Sequence, residues 1–379
     1  MKKIGMMTFH ASHNNGSMLQ ALALQNILEK KYNCFVEIIN FSNPSQQNLY
    51  SPIPKPSNWK QLIKSIIWFS NYKQLKKQYM SYEKFSKLYL HTTEKRYSNN
   101  DELQGIEDNY DALIVGSDQV WNTNCIDVDD VYFFDFVNYK PRYAYAVSFG
   151  ANNPFELDNG SGVHVGYFRK FNKVSVRETN AQKWTEEATG VTVPICLDPT
   201  MLYDKEEWEK IVDVGDKPVI PGKYIFYYCF SITEDVQKFL KYVTKKTGLP
   251  VYFMEAKEWT LKSCWRNKIK LIKQYGPDVY INVVKHAEIF ITTSFHGTAF
   301  ATIYRKRFWY IKSKESESSK DDRAISFLTQ LNLTPRYKTI PQLMEMNLFD
   351  LPDYTNIDQQ IQILRKQSFE YLNSIIAEI

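Results

Sequence analysis

One unit recurs along the chain: a short apolar run that stops at small or polar residues, followed by a stretch with helical spacing. Lys3–Phe9, Cys34–Phe41, Tyr110–Val115, Arg142–Phe149, Lys173–Val176 and Thr192–Leu197 read as strands in the first half. Helices fall at Met18–Lys31 and at Asn180–Ala188, the latter stopped by Gly190. Tyr224–Phe230, Pro250–Met254, Ile289–Thr293 and Phe308–Ile311 repeat the pattern, with helices at Thr233–Thr247, Pro277–His286, Thr298–Tyr304 and Ala324–Leu331, a basic, tryptophan-containing loop after Pro250–Met254 and a hydrophilic loop at Lys312–Arg323. Strands bounded this way, with helices between them, predict parallel sheets covered on both faces, an α/β fold. At 379 residues the chain exceeds one ordinary core and suits two Rossmann-like domains facing a cleft. Composition shifts to Asp, Glu, Lys, Pro and Gly around Tyr203–Gly222. The expected division is 1–205, 206–350, and a C-terminal helix in 351–379, its amphipathic part Asp358–Ile379, packing back on the first domain.

Composition narrows the function classes. Hydrophobic residues make up 44% and charged residues 23%, and the formal charge is +5, too little for this length to argue for nucleic acid. Cys34, Cys125, Cys196, Cys229 and Cys264 are scattered, with no C-x-x-C pair, as expected of reduced thiols in a cytoplasmic protein. MKKIGMMTFH reads as a first strand, its apolar run too short for a signal peptide. No run approaches the roughly 20 apolar residues of a bilayer span. The loop after the first strand, HASHNNGS, lacks the G-x-G-x-x-G spacing of a dinucleotide site.

Residues 43–58 read as a long loop and Lys60–Tyr97 as two helices, together an insertion at about 43–100. Trp59, Trp68, Phe69, Tyr72, Tyr79, Tyr82, Phe85 and Tyr89 alternate with Lys60, Lys64, Lys73, Lys76, Lys77, Lys84 and Lys87, against Glu83 and Glu94. The favoured expectation is a solvated hairpin whose aromatics pack on the domain. Contact with an anionic bilayer surface, the inner membrane face, is the alternative.

In an open parallel sheet, ligands bind outside the carboxyl ends of the strands, so the residues ending each run are the site candidates. EIFITTSFHGTAFATI (residues 288–303) places His296 and Gly297 in a turn, with Thr298 as cap of a helix whose backbone N–H groups favour an anion. Histidine there can move protons near neutral pH. Arg177 and Glu178 end the run Lys173–Val176, and a guanidinium at that place suits bidentate grip on phosphate or carboxylate; a surface ion pair between the two is the alternative. Gly116, Ser117 and Asp118 end another run, Gly116 allowing close approach by a ligand or a second backbone. Cys196 is expected to pack, next to Asp198. Asp127, Asp129 and Asp130 are expected in a solvated acidic loop, and His10 and His13 lack a third ligand at metal spacing, so no metal is expected.

The order NNG, VGSDQVWN, YAVSFG, VSVRE, CLDPTML and ITTSFHGTAFA resembles the polysaccharide pyruvyl transferase family from residue 1 to about 340. The resemblance implies a GT-B-like pair of Rossmann-type domains and transfer of a pyruvyl group from phosphoenolpyruvate to two hydroxyls of a sugar, giving a pyruvate ketal. It places the motif arginine on Arg177 and the motif histidine on His296, with Asn15 and Gly16 in the N-terminal motif. Ser294 stands two before His296, where the family often carries arginine, and Ser17 stands where it carries an acid; Arg323 or Arg305 is then the expected replacement cation. The reading is a cytoplasmic ketal-forming transferase without cofactor, acting on a sugar of a surface or capsular polysaccharide precursor, free or lipid-linked. His296 serves as general acid or acid/base, and Arg177 holds the donor. Glu178, Asp118 and Asp198 are candidates to orient or deprotonate the acceptor hydroxyls, with Asn15, Gly16, Gly116, Ser117, Ser294, Gly297, Thr298 and Arg323 lining the substrate. The alternatives are a GT-B-type glycosyltransferase using a nucleotide sugar and a non-catalytic sugar- or membrane-binding protein.

Overall fold

In the computed structural model, residues 1–156, 162–312 and 323–379 are described. Two fully parallel sheets organise them. The first contains β1 (Lys3–Met7), β2 (Phe35–Ile38), β3 (Ala112–Val115), β4 (Arg142–Val147) and β5 (Lys173–Val176) in the order β2-β1-β3-β4-β5. The second contains β6 (Ile225–Tyr228), β7 (Val251–Phe253), β8 (Lys270–Leu271), β9 (Ile289–Thr292), β10 (Phe308–Ile311) and β11 (Tyr337–Lys338) in the order β11-β10-β9-β6-β7-β8. Every residue of β3, β4, β6, β9 and β10 is buried, as required of parallel strands covered on both faces.

Each sheet has one place where the winding direction reverses: between β1 and β3 in the first, and between β6 and β9 in the second. At such a switch point the following loops part and leave a crevice beyond the strand ends. The two crevices face one another. After β1 the chain enters the helix Asn15–Lys30, capped by Asn14, and after β9 the helix Phe295–Ile303, capped by Ser294.

A continuous apolar core joins the lobes, taking in Leu19 and Leu28 from the first, Phe300 and Phe327 from the second, and Leu372 and Ile375 from the C-terminal helix. That helix, Tyr354–Ile376, crosses back to the first lobe. Its Ser368 hydroxyl accepts from the Leu197 amide at 2.9 Å, and Tyr371 donates to the Ala144 carbonyl at 2.9 Å.

Four local expectations are corrected. Residues 43–58 contain the helix Pro44–Tyr50, started by the Asn43 side chain and Pro44. Thr192–Leu197 is no strand: among the described residues it keeps one bridge, Ile195 to Val176. The tryptophan-containing loop after β7 includes the helix Ala256–Leu261. Thr298 does not cap its helix; Ser294 does, accepting from the Gly297 amide at 3.3 Å, so His296 and Gly297 lie in the first helical turn. Of the segment Lys312–Arg323, expected to be a hydrophilic loop, residues 313–322 lie outside the described residues, and Arg323 opens a helix.

Candidate active site

Arg177 follows β5, Asp198 follows the segment that bridges to β5, and His296 sits in the first turn after β9, so backbone topology alone brings them to the crevice. One Asp198 oxygen is 2.7 Å from Arg177 Nη1, accepts from Ser117 Oγ at 2.8 Å and lies 3.5 Å from His296 Nε2. The other accepts from the Thr200 amide at 3.0 Å and its hydroxyl at 2.7 Å. Burial alone would raise the carboxyl's pKa, but the His296 charge and contact, with Arg177 and Thr200, outweigh it and hold Asp198 far below the usual carboxylate range. Asp198 is therefore an anion fixed between a guanidinium of one lobe and an imidazole of the other.

Arg177 is clamped further. Its guanidinium carbon lies 4.0 Å from the Phe295 ring centroid, and Nε is 3.5 Å from Glu178 Oε2. The Arg177–Glu178 pair is buried, against the surface alternative. Glu178 Oε1 accepts from Ser148 Oγ at 2.7 Å and from the amides of Phe149 at 2.8 Å and Gly150 at 3.2 Å. Burial pushes its carboxyl upward, and Arg177 and Arg323 pull against that rise. Bound from behind by three donors, Glu178 positions the guanidinium.

Three buried nitrogens here have no hydrogen-bond partner among the described residues: Arg177 Nε and Nη2, and His296 Nε2; the 3.5 Å separations of Nε from Glu178 and of Nε2 from Asp198 are ion-pair distances, too long for well-formed hydrogen bonds. Buried donors are normally paired, so an anion or a polar substrate atom fits here.

Across the crevice, Asn15 and Gly16 begin their helix against the second lobe. Asn15 Nδ2 is 3.5 Å from the Tyr228 hydroxyl and 3.4 Å from the Met254 sulfur. A Cβ on Gly16 would meet His296 Cγ at 2.2 Å, and one on Gly297 would meet Thr292 Oγ1 at 2.3 Å, so both glycines are required by close approach. Ser17 donates to Asp118, which sits at φ 81° after β3. Gly116 faces Leu24 and Thr8, a packing contact within the first lobe. Thr298 is buried and its hydroxyl donates to the Ser294 carbonyl at 3.0 Å, which makes it a helix residue. Of the replacement cations, Arg323 opens a helix within electrostatic reach of Glu178, whereas the exposed Arg305 pairs with Asp358 at 2.5 Å.

From Ser17 and Asp118 a cavity of about 510 Å³ extends between the lobes, reaching Ser12, His13, Tyr50 and Asp127 on one side and Glu255 and Lys257 on the other. Asp127 is buried, not solvated: it accepts from Ser12 Oγ at 3.2 Å and Tyr50 at 3.2 Å. His13 pairs with Glu83 at 2.9 Å. Burial in the cleft raises the Glu255 carboxyl to about 7 and lowers the Lys257 ammonium to about 8. Glu255 and Lys257 escaped the sequence reading, although both follow β7 directly; applying the strand-end rule to this run as to the others would have found them.

The chain matches the family model for polysaccharide pyruvyl transferase over residues 14–315. No curated protein matches it. Among solved structures, it is similar to S. aureus MnaA with UDP (TM-score 0.51, 14% identity, 96% of this chain and 88% of that one). Also similar are a putative UDP-N-acetylglucosamine 2-epimerase from Listeria monocytogenes (TM-score 0.49, 10% identity, 95% and 90%) and Arabidopsis thaliana UGT89C1 (0.47, 11%, 100% and 99%). At 14% identity the likeness to the first of these is one of fold, two facing lobes of the GT-B kind.

Proposed function

From the premise that this chain belongs to the polysaccharide pyruvyl transferase family and is a transferase, we propose that it moves a pyruvyl group from phosphoenolpyruvate to two hydroxyls of a sugar in a polysaccharide precursor, forming a cyclic ketal and releasing phosphate. The convergence of Arg177 and His296 from opposite lobes on Asp198, each with an unpartnered buried donor, carries this reading. A small trianionic donor supplies the acceptor atoms those groups lack.

Chemically, the enol methylene carbon of the donor must gain a proton, and C2 must then accept a sugar hydroxyl. The first hydroxyl's proton passes to His296 as its C–O bond forms, the C2–O bond to phosphate breaks next, and the second hydroxyl closes the ring as its proton passes to the departing phosphate. His296 gives the first proton, with Asp198 orienting the ring and stabilising its charged form. Arg177, kept rigid by Phe295 and Glu178, holds the phosphate or carboxylate and stabilises the departing phosphate. Asn15 and Gly16 close the site against His296. The cavity beyond Ser17 and Asp118 takes the acceptor sugar, with Asp118 or Asp198 orienting its hydroxyls and Glu178 acting behind Arg177. The reading needs neither metal nor cofactor. The acceptor is free or lipid-linked, and the buried free thiols of Cys34, Cys196, Cys229 and Cys264 suit a reducing compartment such as the cytoplasm.

The test is phosphate release from phosphoenolpyruvate across a set of glycosides and lipid-linked sugars, with the product's ketal carbon read by NMR. Release that depends on an acceptor supports the proposal. Calorimetric binding of a uridine nucleotide, with none of phosphoenolpyruvate, would replace it with a glycosyl transfer.

A further inference from the structure

The helix Trp59–Phe69 presents two unlike faces. Ser65 and Trp68 turn inward, and Trp68 Nε1 donates to the Lys257 carbonyl of the second lobe at 3.2 Å. Trp59, Leu62, Ile63, Ile66 and Phe69 point the other way, exposed at 67%, 50%, 48%, 65% and 68%. At about 100° per residue they occupy an arc of about 120°. Tyr72 extends this surface, stacked on Phe69 with ring centroids 5.9 Å apart. So the expectation that the insertion's aromatics pack on the domain holds for Tyr82 and Phe85, which are buried, and for Trp68, and fails for Trp59, Phe69 and Tyr72.

Charge indicates what covers the face. Lys60, Lys73 and Lys76 are exposed beside it, and no carboxylate occurs from Trp59 to Tyr82. A second copy of the chain docked symmetrically would bring lysines against lysines. An anionic bilayer answers both features, taking the apolar arc into its headgroup boundary while the ammonium groups meet lipid phosphates. No helix among the described residues is long and apolar enough to cross a membrane, so the contact would be in the interface plane.

We propose that the helix Trp59–Phe69, with Tyr72 and the flanking lysines, is a docking surface for anionic phospholipid bilayers. The helix also walls the cavity between the lobes through Lys64 and Trp68, so docking brings that cavity to the lipid surface.

The test is cosedimentation of the full chain with phosphatidylcholine vesicles that contain or lack phosphatidylglycerol. Binding to the anionic vesicles should exceed binding to the neutral ones at least ~10-fold and weaken in high salt. The triple variant Trp59→Ser, Ile66→Ser, Phe69→Ser should lose at least ~10-fold while keeping the thermal unfolding midpoint, because all three side chains are exposed. Brominated lipid should quench wild-type emission and leave Trp59→Phe less affected. Equal binding by wild type and triple variant, or no binding by wild type, overturns the proposal. So does a dimer in analytical ultracentrifugation that Ile66→Glu dissociates without any vesicle binding. Neither donor nor acceptor is present, so failure here leaves the proposed chemistry untouched.

Discussion

Gly16 and His296 meet across the lobes so closely that a methyl group on Gly16 would sit 2.2 Å from Cγ of the imidazole. The contact joins the first turn after β1 to the first turn after β9, the two switch points. It leaves the imidazole between Gly16 and Asp198. Ring position is then a property of how the lobes are seated, not of either lobe alone.

Gly16→Ala should therefore act on chemistry before it acts on folding. The added carbon pushes the imidazole or spreads the cleft, and a displacement near 1 Å at a reacting group costs about 100-fold in rate. Turnover with phosphoenolpyruvate should fall by that order while circular dichroism stays native. Wild-type turnover would show that His296 is free to move.

Removing the proposed acid and anion holder should be costlier. His296→Ala and Arg177→Ala should each lose at least ~100-fold in kcat/KM, the usual scale for an acid/base or a charge-stabilising donor. His296→Ala is read at constant donor affinity, whereas Arg177→Ala should also weaken donor binding in calorimetry. Near-normal turnover in either variant removes that residue from the mechanism.

Asp198→Asn probes stability as well as rate, because it leaves Arg177 buried without its strongest partner. Breaking a buried pair on one side costs about 3–5 kcal/mol, to be read as a lower denaturation midpoint at neutral pH. The folded-state pKa of Asp198 is depressed from its ordinary 3.8, so its contribution is present above that value and is lost as pH falls toward the folded pKa. The variant's deficit should accordingly shrink in acid. A deficit independent of pH would mean that the lost packing, not the lost charge, is being measured.

Glu255 gives the opposite sign. Its carboxyl is raised from the ordinary 4.5 to about 7, so the folded protein holds a proton that the unfolded chain has released between those values. Stability should fall as pH rises from about 4.5 to about 7, and then level off with respect to this group. Glu255→Gln should remove that slope in denaturant melts across the range. An unchanged slope would assign it to another group.

Much of the fold was legible because a parallel strand is written locally. Lys173–Val176, Pro277–His286 and Phe308–Ile311 occur where apolar period and flanking breakers put them, and Gly190 stops its helix in the left-handed conformation, φ 73°. Thr192–Leu197 misled because an extended apolar segment can be buried beside a sheet edge with only one bridge to it. Ser294 was read as a lost arginine and is a helix cap, a role that depends on where the helix starts.

The polar residues that follow the apolar runs, Arg177, Asp198 and His296 among them, follow from the order of amino acids, since burial of those runs leaves only their polar termini to face a crevice. Sequence could not say that a single Asp198 oxygen serves both the guanidinium and the imidazole, that Glu178 stands behind Arg177, or that Trp59 and Ile66 face outward while Trp68 turns in. Those follow from strand order and the seating of one lobe on the other, which bring together groups distant along the chain; side-chain distances of a few ångströms are set by that packing and leave no trace in local periodicity.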